Sequence, residues 1–70
     1  DYVMKYDVFV SERDLYTIHA PGITSEAQLI WLALNEAGWA DHPYSVVKQD
    51  DTISIHSERL QSALTIKPQK

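Results

Sequence analysis

The chain has 70 residues, enough for one domain and too few for a second hydrophobic core. It contains no cysteine, which excludes disulfides and thiolate metal sites, and its 44% apolar and 23% charged residues are typical of a globular protein. The net charge of −4 is uneven, because residues 1–58 carry all ten acids and residues 59–70 carry three of the six basic residues. Nucleic-acid binding usually needs a basic face. The charge instead favours a basic protein partner or plain solubility.

The sequence shows no targeting or anchoring segment. No apolar run approaches the roughly 20 residues of a membrane span, and no signal peptide is visible. We therefore expect a cytoplasmic protein without membrane association. Met4 is a candidate native start, which would make Asp1–Val3 an expression remnant, and residues 67–70 are expected to be a tail.

An apolar alternation predicts a hairpin at the beginning of the chain. In residues 4–10 every second residue is apolar: Met4, Tyr6, Val8 and Val10. Residues 15–20 resume the alternation after a polar link, with Tyr16, Ile18 and Ala20 on one face. Pro21-Gly22 then ends the second strand.

Capping residues predict a helix over residues 26–37. Ser25 is the expected N-cap, with Gln28 completing a capping box and Thr24 as a competing cap. Gly38 is expected at the left-handed position that follows the helix.

The second half of the chain is predicted to form three more strands. Residues 44–49 and 52–56 are predicted to pair through a tight turn at Asp50-Asp51. Residues 57–62 fit either a wide turn or a single helical turn. Residues 63–67 are expected to form a last strand with Leu64 and Ile66 on one face.

These elements predict a two-layer α+β domain, with one helix on a sheet of four to five strands. The order β-β-α-β-β-(turn)-β resembles the β-grasp fold of ubiquitin-like proteins, and this arrangement is favoured. The rival is a plain antiparallel sheet of four strands in which the last strand is not paired centrally. The chain ends Lys67-Pro68-Gln69-Lys70, without the terminal Gly-Gly of ubiquitin-like modifiers, so a modifier role is not expected.

No motif indicates catalysis. The two glycines, Gly22 and Gly38, form no phosphate-binding loop. His19, His42 and His56 lack the spacing of a metal site and are expected to be polar surface residues. We therefore expect no catalytic, cofactor-binding or metal-binding residues.

The helix carries more apolar residues than one sheet face needs. On a helical wheel, one narrow sector is expected to face the sheet: Ala27, Ile30, Leu34 and Ala37. Leu29 and Leu32 fall outside this sector, and Trp31 lies at its margin. Trp39 is expected to pack back on Leu34 as part of the helix cap.

The sheet face without a helix is also expected to carry apolar residues, because Phe9, Leu15 and Val47 alternate with inward-facing neighbours. The leading hypothesis is a small protein-binding module that acts stoichiometrically and without catalysis. Its expected partner contacts are Leu29, Trp31 and Leu32 on the helix, or Phe9 and Val47 on the sheet.

Three alternatives remain open. The first is an inhibitor encoded by a phage or mobile element, since the size and acidity resemble those of anti-CRISPR proteins. Its acidic surface would comprise Asp7, Glu12, Asp14, Asp50 and Asp51. The second is a homo-oligomer joined through Leu29 and Leu32. The third is weak nucleic-acid binding through the basic segment 59–70.

Overall fold

The computed structural model describes residues 3–11, 13–21 and 25–69. They form one helix and one five-stranded sheet. The elements in chain order are β1 (Val3–Val10), β2 (Arg13–Pro21), α1 (Glu26–Ala37), β3 (Ser45–Gln49), β4 (Thr52–Ser57) and β5 (Ser62–Pro68). The predicted α+β class is confirmed.

The strand order in the sheet is β2-β1-β5-β4-β3, and all neighbours are antiparallel. The favoured β-grasp arrangement is therefore not confirmed, since β4 lies beside β5 and β3 lies at the edge. The rival four-stranded sheet also differs, because β5 pairs centrally between β1 and β4. Short connections explain the order: β3, β4 and β5 follow one another through turns at residues 50–51 and 58–61, so each lies beside the next. Residues 58–61 form a turn and not a helix.

The helix connects the two edge strands of the sheet. Because directions alternate across the sheet, β2 and β3 run the same way at opposite edges. The 12-residue helix is about 18 Å long, close to the roughly 19 Å that five strands span. It is tied to both edges, since the Tyr16 hydroxyl in β2 donates to the Ala33 carbonyl at 2.6 Å and Lys48 in β3 forms an ion pair with Glu26.

Both predicted helix ends are confirmed. The Ser25 hydroxyl accepts a hydrogen bond from the Gln28 backbone N–H at 3.2 Å, as an N-cap does. Gly38 adopts a left-handed φ of 75°, and the Trp39 N–H donates to the Leu34 carbonyl at 2.8 Å. Trp39 and Leu34 are both buried in the same core cluster. The chain therefore folds back at Gly38 and carries an indole into the core.

One hydrophobic core lies between the helix and the sheet. The inward alternation predicted for the strands is confirmed, since the following strand residues are buried: Val8, Ile18, Ala20, Ile53, Ile55, Leu64 and Ile66. Together with Leu29, Ala33, Leu34 and Trp39 they form a single cluster. The core therefore draws on both halves of the chain.

The predicted core face of the helix is confirmed in part, because the buried sector is rotated from the predicted one but still includes Leu34. The buried helix residues are Leu29, Ala33 and Leu34, while Ala27 is exposed and Ile30 and Ala37 are half-buried. Ala27 lies in the first turn, beyond the buried residues Leu29, Ala33 and Leu34. Leu29 fills the core in its place, because it is larger and lies over the sheet.

Among the described residues, no helix combines the length and the apolar character needed to cross a lipid bilayer.

Candidate functional site

Most of the exposed apolar surface lies along one edge of the molecule. Among the described residues, five large hydrophobic side chains are exposed: Trp31, Tyr44, Val46, Val47 and Leu60. Three of them belong to β3 or immediately precede it, and Trp31 lies on the helix. We call Trp31, Tyr44, Val46, Val47 and the outer backbone of β3 the β3 edge surface.

The orientation of the helix turns Trp31 away from β2. The Ala33 carbonyl accepts a hydrogen bond from Tyr16 in β2, and the charge of the nearby Glu36 carboxylate helps to raise the pKa of the same tyrosine. Glu36 therefore marks the β2 flank of the helix. Trp31 lies about 140° around the helix from Glu36, on the flank turned away from β2. Its side chain is 56% exposed.

Among the described residues, β3 pairs with β4 alone, and no described strand pairs with its outer side. Gln49 and Thr52 flank a two-residue hairpin turn and form its closing pair. Successive residues of a strand point their backbone N–H and C=O groups to opposite sides. Val46 and Lys48 therefore present theirs outward, away from the sheet.

The other edge of the sheet carries features that discourage strand pairing, and β3 does not. A β-bulge interrupts the pairing of β1 and β2 beside Phe9, and the exposed side chains described in β2 are Arg13, Thr17 and His19. Bulges and charged side chains are common protections of edge strands. The register of β3 with β4 is regular, and its single charge, Lys48, is paired with Glu26.

The two ends of β3 differ in chemistry. A hollow of about 360 Å³ adjoins its beginning. The hollow is lined by Pro43, Tyr44, Ser45, His56, Glu58 and Arg59. The other end of β3 leads into Asp50 and Asp51, which are both exposed. One end of the strand thus offers an arginine, a glutamate and hydrogen-bond donors, and the other end offers two carboxylates.

The residues that the sequence predicts as partner contacts differ in how far they are buried. The prediction that Leu29 is free for a partner is wrong, because its side chain is 4% exposed and belongs to the core. Leu32, the other residue of the predicted oligomer surface, is half-buried against the core. Trp31 and Val47 are exposed as the prediction requires.

Phe9 and Val47 lie on the face of the sheet opposite the helix. They share one row across four strands, with Thr65 and Ser54 between them. Phe9 is half-buried, and the Lys67 ammonium lies 5.5 Å from the centre of its ring. Phe9 and Val47 are therefore two separate apolar positions and not one patch.

The acids predicted to form one surface are spread out. Asp7 lies on the open sheet face, where its carboxylate accepts hydrogen bonds from Gln69 at 2.7 Å and Thr17 at 3.4 Å. Asp50 and Asp51 occupy the β3–β4 turn, at the end of the sheet opposite the β1–β2 turn. Glu12 lies outside the described residues, and Asp14 belongs to β2 without a described side chain.

Sequence reasoning missed Tyr44 and Val46 as exposed residues. Val46 pairs with Ile55 on the helix side of the sheet, as expected, but is 42% exposed because β3 has no outer neighbour. The adjacent apolar pair Val46-Val47 was a signal that both faces of this strand carry apolar side chains. The sequence did not predict that β3 lies at the edge of the sheet.

No protein-family model matches the chain, and neither a curated protein nor a solved structure matches it.

Proposed function

We propose that the protein is a non-catalytic protein-binding module that binds through the β3 edge surface. The observation that carries this proposal is the coincidence of two features on one edge. Three of the five exposed large hydrophobic side chains among the described residues belong to β3 or immediately precede it. The same edge holds the regular, unprotected strand β3.

A partner strand added to β3 would use both features. The outward N–H and C=O groups of Val46 and Lys48 would bond its backbone, which supplies affinity in strand-addition complexes. Val46 on the helix side and Val47 on the open side would contact its alternate side chains, which supplies specificity. Trp31 adds an exposed indole on the helix side, and tryptophan is among the residues that most often dominate interface energies.

The test compares two lysine substitutions at exposed apolar positions. Val47→Lys introduces a charge at the centre of the β3 edge surface, whereas Leu60→Lys introduces the same charge in the β4–β5 turn. We expect capture from an extract of the native host to recover a direct partner with the parent chain and with Leu60→Lys, and at least tenfold less with Val47→Lys. Cross-linking mass spectrometry should place that partner against residues 44–49.

Equal recovery by Val47→Lys and the parent would contradict the proposal, as would cross-links confined to other surfaces. Both variants should unfold at temperatures within a few degrees of the parent, because surface substitutions usually change stability by less than about 0.5 kcal/mol.

A further inference from the structure

We propose that the partner of the β3 edge surface is a second copy of this chain. The β3 strands of the two copies pair antiparallel about a twofold axis at Val47 and join the two sheets into one. This inference rests on the proposed function, because it names the occupant of the same surface.

The backbone of β3 selects the register of this pairing. Val46 and Lys48 point their N–H and C=O groups outward, so each can exchange two hydrogen bonds with the other in the second copy. Val47 then faces Val47 of the second copy as a non-hydrogen-bonded pair, in which side chains approach most closely. Val47 is 55% exposed in the single chain. Val46 comes to lie beside the aliphatic stem of Lys48 of the second copy.

Charge complementarity favours a second copy over an unrelated strand. In this register Asp50 of the second copy lies opposite Tyr44, so the acidic turn enters the hollow that Tyr44 shares with His56 and Arg59. Arg59 supplies a positive charge, and Tyr44 and His56 supply hydrogen-bond donors. Glu58 also lines the hollow and offsets the charge of Arg59, so the contact requires Arg59 to lie closer than Glu58 to the incoming carboxylates. The twofold axis repeats the contact at both ends of the joined strands.

The same axis would bring the exposed Trp31 side chains of both copies to the interface. A twofold axis perpendicular to the sheet places both helices on the same face of the joined sheet. The helix flank that carries Trp31 is turned away from β2, so in the joined sheet the two flanks would be turned towards each other. The arrangement thus brings all four apolar side chains of the β3 edge surface to the interface.

A single cysteine tests the axis, because the chain has no cysteine of its own. We expect Val47→Cys to form a disulfide-linked dimer under mild oxidation, since facing residues of a non-hydrogen-bonded pair lie within disulfide reach. Gln49→Cys is the matched control on the same face. Two Gln49 residues would lie about 14 Å apart in this register, too far to be linked. Equal linkage of both variants, or of neither, would overturn the register.

Charge reversal tests the contact between the acidic turn and the hollow. We expect Arg59→Glu, and separately Asp50→Lys with Asp51→Lys, to weaken the dimer at least tenfold in sedimentation equilibrium. Combining the three substitutions should restore affinity to within about threefold of the parent, because each turn then meets a hollow of opposite sign. Lys67→Glu reverses a charge on the open face and should leave the affinity unchanged. Failure of the combined variant to recover would overturn the proposed contact.

Concentration-dependent light scattering separates this inference from the proposed function. A parent chain that stays monomeric at millimolar concentration, while Val47→Lys still abolishes capture from the host, overturns the second copy and leaves the proposed function standing. A dimer that survives Val47→Lys places self-association on another surface and overturns the inference. If the parent chain is a monomer and Val47→Lys captures the same partner as the parent, both the inference and the proposed function are overturned.

Discussion

At the scale of single residues, Tyr16 links the two layers. Its ring packs against the core cluster from β2, and its hydroxyl donates to the Ala33 carbonyl within the helix. Burial, and to a lesser extent the nearby Glu36 carboxylate, raises the pKa of Tyr16 to about 12. Both effects disfavour the phenolate, so the folded state holds the phenol proton more tightly than the unfolded state does.

This pKa predicts a loss of stability at high pH that depends on Tyr16. A tyrosine has a pKa near 10 in the unfolded chain and about 12 here. The contribution of the protonated Tyr16 to the free energy of unfolding is therefore fully present below pH 10, and it is lost as the pH rises towards about 12. We expect the free energy of unfolding, measured with urea, to fall less between pH 10 and 12 in Tyr16→Phe than in the parent.

At neutral pH, Tyr16→Phe should lower the free energy of unfolding by about 0.5–1.5 kcal/mol, the usual value of one hydrogen bond. Tyr44→Phe is the matched control, because Tyr44 is exposed. Parallel pH profiles for the parent and Tyr16→Phe would contradict this account of Tyr16.

At the scale of elements, the helix presents two apolar surfaces with different roles. Leu29, Ala33 and Leu34 complete the core from one side. Trp31 faces away from the core and is exposed, although it is the largest apolar residue of the helix. Residue size is therefore a poor guide to which face is buried, because the caps, Trp39 and the bond from Tyr16 together determine how the helix is rotated on the sheet.

This division predicts stability losses of very different size for two alanine substitutions. Leu29→Ala should destabilise the protein by about 2–5 kcal/mol, since it removes a buried leucine and leaves a cavity. Trp31→Ala should cost less than about 0.5 kcal/mol in the monomer, because it changes an exposed position. Chemical denaturation of the two variants at low protein concentration measures both values, and a larger loss for Trp31→Ala would show that the helix is rotated differently.

At the scale of the whole molecule, β5 joins the two halves of the sheet. It pairs with β1 on one side and β4 on the other, so it connects the first hairpin to the β3–β4 hairpin. Its Leu64 and Ile66 are fully buried. The pairing of β1 with β5 joins residues about 60 positions apart in the chain. Such distant contacts slow folding, because the intervening loop must close first.

The central and edge positions predict different responses to proline. Thr65→Pro in β5 removes a backbone N–H from a strand that is paired on both sides, and it should cost about 3 kcal/mol or more. Val46→Pro in β3 removes an outward N–H at the edge and should cost much less. Thermal unfolding distinguishes the two, and equal losses would contradict the outward orientation of Val46. The same Val46→Pro variant should also weaken the proposed dimer.

Local sequence patterns predict the local structure of this protein. Ser25 and Gly38 mark both ends of the helix, and the period of two assigns Val8, Ile18, Ile55 and Leu64 to the core face. These signals are local, because capping and strand alternation depend on residues a few positions apart. Trp31 and Val47 were also recognised as candidates for a partner surface.

Which strand lies at the edge and which helix flank meets the core depend on tertiary contacts. A strand shows the same alternation whatever its neighbour is, so the pattern of β3 could not reveal that its outer side lacks one. That position exposes Tyr44 and Val46, while the rotation of the helix buries Leu29. Both outcomes depend on pairings between distant residues, and local sequence patterns carry no information about those pairings.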